Sequence, residues 1–412
     1  MIAEWQSLTT RQKHTFVASF LGWMLDAFDF FLMIFVVRAI AADFHTTKTA
    51  VSWATTLTLA MRPLGALIFG RLADKYGRKP ILMIDIVLFS VFELASAFSP
   101  NLTVLIITRV LFGIAMGGEW GLGSSLTMES IPSSARGFAS GILQQGYAVG
   151  HLFAALVYTL LFTTIGWRGM FMIGVVPALL VLYIRRNVDE SPVWREVSAR
   201  PKVPVGVLLQ RHAGLLVYVV LMMTAFNFFS HGTQDAYPTF LQGRGFNEHQ
   251  VGLLEIISDF GAIIGGTYFG HLSQRIGRRR AIVYAAAIAL PVIPVWAFAG
   301  NIYLLAVGSF LMRVSVQGAW GVIPVHLNEL SPDEVRATFP AFAYQLGNLF
   351  ASANLTIQTA MASSRGENFS VPLATVAGAA AVAIMLFAGF GRERHSVVFG
   401  AADAEPAKLA SE

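Results

Sequence analysis

Long apolar runs recur along almost the whole chain. Each run covers about 20 residues, which at 1.5 Å per residue crosses a hydrocarbon core of roughly 30 Å as an α-helix. The alternating segments of about 10 residues that build a transmembrane β-barrel are absent from the sequence. The pattern predicts an all-α membrane protein with about twelve spans, numbered 1 to 12 in chain order and covering roughly 15–41, 50–72, 80–98, 102–125, 137–163, 167–185, 213–241, 249–270, 280–299, 301–325, 337–360 and 369–390.

The two halves of the chain carry the same motif. The segment GRLADKYGRKP at 70–80 returns as GHLSQRIGRRR at 270–280, 200 residues later. Identical residues recur at the same offset in the pairs Trp120/Trp320, Glu129/Glu329, Pro132/Pro332, Arg136/Arg336 and Gln145/Gln345. One shared register indicates a duplicated six-helix unit, and an even number of helices keeps the two copies parallel in the membrane.

We therefore predict two pseudo-symmetric six-helix bundles, called here the first half and the second half. The first half covers 1–190 and the second half covers 213–392. A polar connecting loop at 191–212 joins them, and a tail at 393–412 follows. Loop and tail are both expected to be cytoplasmic.

Composition and charge agree with this architecture. Hydrophobic residues make up 55% of the 412 residues and charged residues only 13%, about half the share in a soluble domain. The chain has no cysteine, which excludes disulfides, thiolate metal sites and redox dithiols. The net charge of +5 comes from Lys and Arg in short loops and does not indicate a nucleic-acid partner.

Basic residues also predict the orientation. One alternating set of loops holds most of the Lys and Arg, whereas the other holds only Lys48, Arg168, Arg244 and Arg365. The positive-inside rule places the first set in the cytoplasm. We expect a multi-pass protein of the cytoplasmic (inner) membrane with both termini on the cytoplasmic side.

Three motifs resemble those of a known superfamily. GRLADKYGRKP resembles the loop between helices 2 and 3 of the major facilitator superfamily, and RVLFGIAMGGEWG at 109–121 resembles its helix 4 motif. VDESPVW at 188–194 is similar to the motif after helix 6 in many of its symporters. The resemblance implies the major-facilitator fold, with substrate bound at the midplane between the halves.

Span 1 carries two acids among apolar residues. Asp26 and Asp29 lie three residues apart, on one face of a helix. Two nearby carboxylates cannot both stay ionised easily in a low dielectric, so a role in proton coupling is expected. Arg109 opens the helix 4 motif, and in resembling symporters such an arginine faces an acid at the Asp29 position. The alternative is a static ion pair.

Span 2 contains an arginine with no acid within a helical turn of its own chain. Arg62 in LAMRPLGALIFG suits a substrate carboxylate, which a guanidinium can bind through two parallel hydrogen bonds. The alternative is an interhelical pair with Asp26 or Glu119. Both interpretations stay open at the level of the sequence.

Span 7 ends in a polar strip. The segment NFFSHGTQDAYPT at 227–239 matches the signature of one branch of the superfamily, the sialate:proton symporter family, which includes Jen-type lactate/pyruvate permeases and sialic-acid permeases. The alternative is a wet helix end at the outer surface. The resemblance implies proton coupling and translocation by His231 and Asp235, and substrate contact by the neighbouring polar residues Asn227, Ser230 and Gln234.

Amide side chains recur at equivalent positions of both halves. In Jen-type permeases, a Gln and an Asn at the spacing of Gln345 and Asn348 contribute to substrate binding, so the resemblance implies that role here. Gln145 and Tyr147, with Gln144, are their pseudo-symmetric counterparts and are expected to line the other wall. A glutamine in a membrane helix can instead serve as a bond between helices.

The repeated motifs are expected to latch helix ends and gate access without touching substrate. This set comprises Asp74, Gly77, Arg78, Glu129, Arg136, Gly277, Arg278, Glu329 and Arg336. Other ionisable residues in the spans have no assigned role, namely Asp85, Glu93, His151, Glu255, Asp259, Arg313 and His326. Glu255 and Asp259 share a helix face and form a candidate second proton site.

The sequence therefore predicts a secondary active transporter that imports a small organic monocarboxylate, of the lactate/pyruvate type or sialic acid, by proton symport and alternating access. The rivals are a symporter for another organic acid or a sugar, and a non-transporting sensor on the same fold. No enzymatic constellation stands out in the sequence. The expected partners are the organic anion, protons and the lipid bilayer. No cofactor or metal is expected, and the protein is expected to function as a monomer.

Overall fold

The structure is a computed structural model that describes residues 2–199, 205–366 and 368–400. All regular elements within these ranges are helical. Helices run over Ile2–Ser7, Thr10–Asp43, Lys48–Tyr76, Arg78–Ala97, Leu102–Ser130, Arg136–Gln144, Gly146–Ile173, Pro177–Asn187, Pro192–Ser198, Val205–Arg211, Ala213–Gln234, Tyr237–Gly243, Glu248–Ile276, Arg278–Phe298, Ile302–Trp320, Ile323–Leu330, Thr338–Ala351, Asn354–Ser363 and Ser370–Phe390, with 3-10 turns at Ser133–Ala135 and Asp333–Val335. The connecting loop thus contains two short helices, and most of the predicted tail lies outside the described residues.

Nine segments of the described chain are long and apolar enough to cross a membrane. One of them, Ser133–Asn187, has 55 residues and bends at Gly166, so its length of about 80 Å provides spans 5 and 6. The helix Lys48–Tyr76 has the length of a span, but its threonines and Arg62 make it less hydrophobic than the nine segments. Span 11 is broken between Ala351 and Asn354. These exceptions account for the twelve predicted spans.

The duplication is visible in the helix boundaries. Lys48–Tyr76 and Glu248–Ile276 each have 29 residues and occupy positions shifted by 200. Both end at a glycine with positive φ, +112° at Gly77 and +94° at Gly277, which a residue with a side chain rarely adopts. The glycine lets the chain turn sharply into the next helix.

Both repeated motifs build the same buried ion pair. Arg78 donates to both oxygens of Glu129 at 3.0 and 3.1 Å, and Arg278 donates to those of Glu329 at 2.9 and 3.0 Å. Glu190 accepts hydrogen bonds from the first backbone N–H groups after Gly77, and burial raises the pKa of its carboxyl. These contacts tie the ends of neighbouring spans together within each half.

The backbones of the two halves approach most closely at one end of the bundle, called here the latch end and formed by 70–80, 129–141, 266–280 and 329–341. Asp74 of the first half accepts backbone hydrogen bonds from Ala337 and Thr338 of the second. A Cβ placed on Gly141 would lie 2.6 Å from the Gly266 carbonyl oxygen, so the backbones meet directly there. The latch end is therefore closed, and the opposite end, called the far end, carries a cleft between the halves.

Replacing Asp74 with Ala is expected to loosen the latch end. The hydrogen bonds that are lost have a charged acceptor and are each worth about 1.5–3 kcal/mol, enough to raise an open population roughly tenfold. Ser124 is 1% exposed and accepts from Asn328 across the halves, so a Ser124→Cys variant of this cysteine-free chain reports opening. Labelling of the introduced thiol should accelerate in the Asp74→Ala background. It should stay slow in the control background Lys75→Ala, which replaces an exposed neighbour. Equal rates in both backgrounds would contradict the latch.

Candidate functional site

Two adjoining cavities lie between the halves. The inner chamber has a volume of about 50 Å³ and the far cleft, which opens toward the far end, about 570 Å³. They share the lining residues Phe30, Leu59, Tyr147, Ser230 and His231. The chamber is completed by Trp23, Arg62, Gln144, Asn227, Gln317, Trp320, Tyr344 and Asn348.

Aromatic rings line and support the chamber. Trp23 stacks on Tyr147 with ring centroids 5.6 Å apart, and Tyr344 contacts both Trp120 and Trp320, at 4.8 and 5.5 Å. The tryptophan pair of the sequence repeat thus meets on one tyrosine. Trp23, Gln317 and Tyr344 line the chamber but were not expected there from the sequence. The repeated Trp120/Trp320 pair was the sequence signal for these aromatic contacts.

The polar strip of span 7 faces the cavities. His231 Nδ1 lies 3.2 Å from an Asp235 carboxylate oxygen, and its Nε2 lies 2.9 Å from Asn348 Oδ1. Both partner atoms are oxygens, so the geometry accommodates an imidazolium that donates from both nitrogens. The two residues to which the resemblance assigns proton coupling thus contact each other, and Asn348 contacts His231 from span 11.

The other strip residues divide between the cavities. Asn227 lines the chamber, Gln234 and Asp235 line the far cleft, and Ser230 touches both. Gln234 donates to the Ser230 hydroxyl at 2.7 Å, and Asn227 donates to the Met223 carbonyl at 2.8 Å. The helix ends at Gln234 and resumes at Tyr237 just before Pro238, so the strip faces the interior and is not merely a wet helix end at the outer surface.

The position of Arg62 fits both interpretations that the sequence left open, a contact with substrate and an ion pair between helices. It lines the chamber, and its Nη2 donates to Asp26 at 3.0 Å. Both side chains are almost completely buried. Arg62 Nε has no partner within the described residues, so the guanidinium retains donor capacity.

The expected pairing of Arg109 with Asp29 is wrong. Arg109 donates to Glu93 at 2.6 Å, and both side chains are fully buried. Asp29 lies beside this pair, since a Cβ on Gly174 would approach both Glu93 and Asp29, but its oxygens accept no hydrogen bond in the described chain. Glu93 and Arg109 lie on spans 3 and 4, which pack directly against each other. Glu93 therefore binds the Arg109 guanidinium in place of Asp29 of span 1. Asp26 thus pairs with Arg62, whereas Asp29 has no hydrogen-bond partner among the described residues.

Two of the expected wall residues lie elsewhere. Gln145 donates to the Gly141 carbonyl and packs against Gly266, outside the set that lines the cavities. Span 5 breaks at this residue, which turns Gln144 into the chamber, where it accepts from Trp120 Nε1 at 3.1 Å. Gln345 is also buried outside the lining set, whereas Tyr147 and Asn348 line the chamber as expected.

A second ionic cluster crosses the far cleft. Asp259 accepts from Arg313 at 2.9 Å and lies 3.1 Å from His151 of the first half. Glu255 lines the same cleft. His326 is fully buried away from both cavities.

Comparison with known proteins agrees with this architecture. The sequence profile "Major Facilitator Superfamily" matches residues 18–247, and "Sugar (and other) transporter" matches 211–393. The chain is 31% identical over 363 residues to a probable 4-methylmuconolactone transporter of Cupriavidus pinatubonensis, covering 86% of this chain and 85% of that protein. It is 28% identical to the sialic acid transporter NanX of Escherichia coli, over 94% and 96% of the two chains.

Among solved structures, the proton:xylose symporter XylE superposes with a TM-score of 0.78 at 18% identity, covering 95% of this chain and 98% of that one. This similarity establishes the fold, including its two six-helix halves.

The Arg109–Glu93 pair predicts a specific pattern of rescue. Arg109→Gln leaves Glu93 as an uncompensated buried charge and should cost about 3–5 kcal/mol of stability. Adding Glu93→Gln removes that charge and should restore most of the lost melting temperature in detergent. Adding Asp29→Asn to Arg109→Gln is the matched control and should restore little. Better rescue by Asp29→Asn would show that Asp29 is the true partner.

Proposed function

Since the chain belongs to the major facilitator superfamily, we propose that it is a proton-coupled symporter that imports a small organic monocarboxylate by alternating access. The observation that carries this proposal is the placement of Arg62 and His231, from opposite halves, in one chamber. The relatives named for 4-methylmuconolactone and sialic acid support an organic acid as the class of substrate.

The chamber suits a carboxylate with a short polar body. Arg62 provides a guanidinium that is always charged, and His231 provides a second hydrogen-bond donor. Amides of Gln144, Asn227 and Asn348 offer donors and acceptors for hydroxyl or keto groups. Aromatic rings cover the apolar part of the ligand.

Coupling follows from competition for one guanidinium. Asp26 holds Arg62 in the structure described here. When a substrate carboxylate takes that guanidinium, Asp26 is left as a buried anion with no cation partner, which is costly unless it takes up a proton. Anion and proton therefore bind together, and Asp26 assumes the coupling role that the sequence analysis shared between Asp26 and Asp29.

Closure of the latch end and opening of the far cleft describe one state of the transport cycle. With the orientation expected from the basic loops, this state faces the outside. His231–Asp235 and the Asp259–His151 contact lie where the far end must close around substrate. Substrate shifts the protein toward the state with a closed far end only because it binds that state more tightly than the state with an open far end.

A sugar is the rival substrate, because the second half matches the profile "Sugar (and other) transporter". The buried Arg62–Asp26 pair at the chamber wall favours an anion instead.

An uptake panel separates these substrates. Purified protein in proteoliposomes should accumulate at least one of labelled lactate, pyruvate or sialic acid when the outside is acidic, because an inward proton gradient drives the anion. Xylose and a neutral amide analogue of the transported acid serve as controls and should not accumulate. Uptake of the sugar alone, or acid uptake that ignores the gradient, would contradict the proposal.

Asp26→Asn tests the competition mechanism. The variant leaves Arg62 free for the anion, so counterflow exchange should persist within about twofold while pH-driven accumulation falls at least about tenfold. Asp189→Asn is the control, because that side chain is 62% exposed, and it should accumulate substrate like the unaltered protein. Accumulation that survives Asp26→Asn would place the coupling proton elsewhere.

A further inference from the structure

Two carboxylic acids lie in the first half without any assigned role. Asp85 of span 3 and Glu119 of span 4 are fully buried, and neither lines the chamber or the far cleft. All four of their carboxyl oxygens lack a hydrogen-bond partner among the described residues. Arg62 and Arg109 already donate to Asp26 and Glu93. Burying two unpaired acids is expensive, so a purpose other than stability is required.

The second half shows that the fold does not need these acids. At the repeat offset of 200, the positions of Asp26, Arg62, Asp85 and Glu119 are occupied by Phe226, Ala262, Ala285 and Ala319. The packing is nevertheless the same. A Cβ on Gly118 would meet Phe69 and Asp85, and a Cβ on Gly318 would meet Phe269 and Ala285. An alanine therefore fills the equivalent site in an otherwise matching contact.

The acids form a line between the chamber and the latch end. Glu119 reaches span 1 at Gly22, where a Cβ would lie 2.3 Å from its Oε1, one helical turn before Asp26. Asp85 lies against Gly118, the neighbour of Glu119, and seven residues after Arg78, which is about 10 Å along a helix. The charged groups that act on Glu119 are Asp26, Asp85 and Arg62, and Asp26 acts on Asp85.

We propose that Asp26, Glu119 and Asp85 form a proton path through the first half, which leads from the chamber toward the latch end and is separate from the substrate route. The proposal rests on the proposed proton symport. A carboxyl group can donate its proton from one oxygen and accept another on its second oxygen, so each acid passes on one proton and ends in its starting form. The proton that Asp26 takes up when substrate binds Arg62 passes to Glu119 and then to Asp85, and water accepts it from Asp85 on the cytoplasmic side once the latch end opens.

Protons fit this line better than a metal cation. Within the described residues, no group of three or more His, Asp or Glu side chains is arranged to hold a metal ion.

The test uses the residues that the second half carries. Asp85→Ala and Glu119→Ala should fold with an unchanged or higher melting temperature, because each removes an unpaired buried acid. Counterflow exchange should stay within about twofold of the unaltered protein, while pH-driven accumulation should fall at least about tenfold. Asp85→Asn and Glu119→Gln keep the volume and should behave alike, which maintains the test if an alanine variant folds poorly. Ser125→Ala, a buried change on span 4, is the control and should keep its accumulation.

The outcomes separate this proposal from the proposed function. If the unaltered protein accumulates acid under a pH gradient and Asp26→Asn does not, but the Asp85 and Glu119 variants do, the path is overturned and the symport stands. If the unaltered protein shows no pH-driven accumulation, the symport itself fails. Accumulation driven by a sodium gradient and lost in the Glu119 variants would also overturn the assignment of protons.

Discussion

The ion pair between Arg62 and Asp26 is the constraint on which the rest of the structure depends. A guanidinium at the wall of a membrane-embedded chamber is costly without a counter-charge, and Asp26 supplies one at 3.0 Å from the neighbouring span. Under the proposed function, an anion that enters the chamber competes with this carboxylate for the Arg62 guanidinium. Recognition of the substrate and movement of a proton would then be two consequences of one contact.

The duplicated fold distributes these tasks unequally. Both halves share helix boundaries, glycine turns and the Arg78–Glu129 and Arg278–Glu329 pairs, which fasten the spans at the latch end. The first half has Asp26, Arg62, Asp85 and Glu119 inside its bundle, whereas the second half keeps apolar residues at those four positions and presents His231, Asn227 and Asn348 to the chamber. Under the proposed function, the first half binds the coupling proton, and the second half provides most of the side chains that contact the polar groups of the substrate.

Sequence patterns were sufficient for features that depend on periodicity and repetition. The apolar runs predicted the spans, and the 200-residue offset predicted the paired helices. Contacts between different spans were harder, because helix rotation and packing decide them. Arg109 therefore binds Glu93 instead of Asp29, and a helix break at Gln145 leaves only Gln144 of the two adjacent glutamines in the chamber wall. The roles proposed for Asp85 and Glu119 rest on their burial without partners and on the alanines at the equivalent positions of the second half.

Proton uptake on ligand binding tests the competition at Arg62 most directly, because it needs no membrane. Purified protein in weakly buffered detergent, mixed with a transported monocarboxylate and followed with a pH indicator dye, should take up roughly one proton per bound anion, since binding and protonation are reciprocally linked. The signal should disappear when Arg62 is replaced by Gln. Anion binding without any proton uptake would contradict the account, because it would mean that the anion leaves the Arg62–Asp26 pair intact.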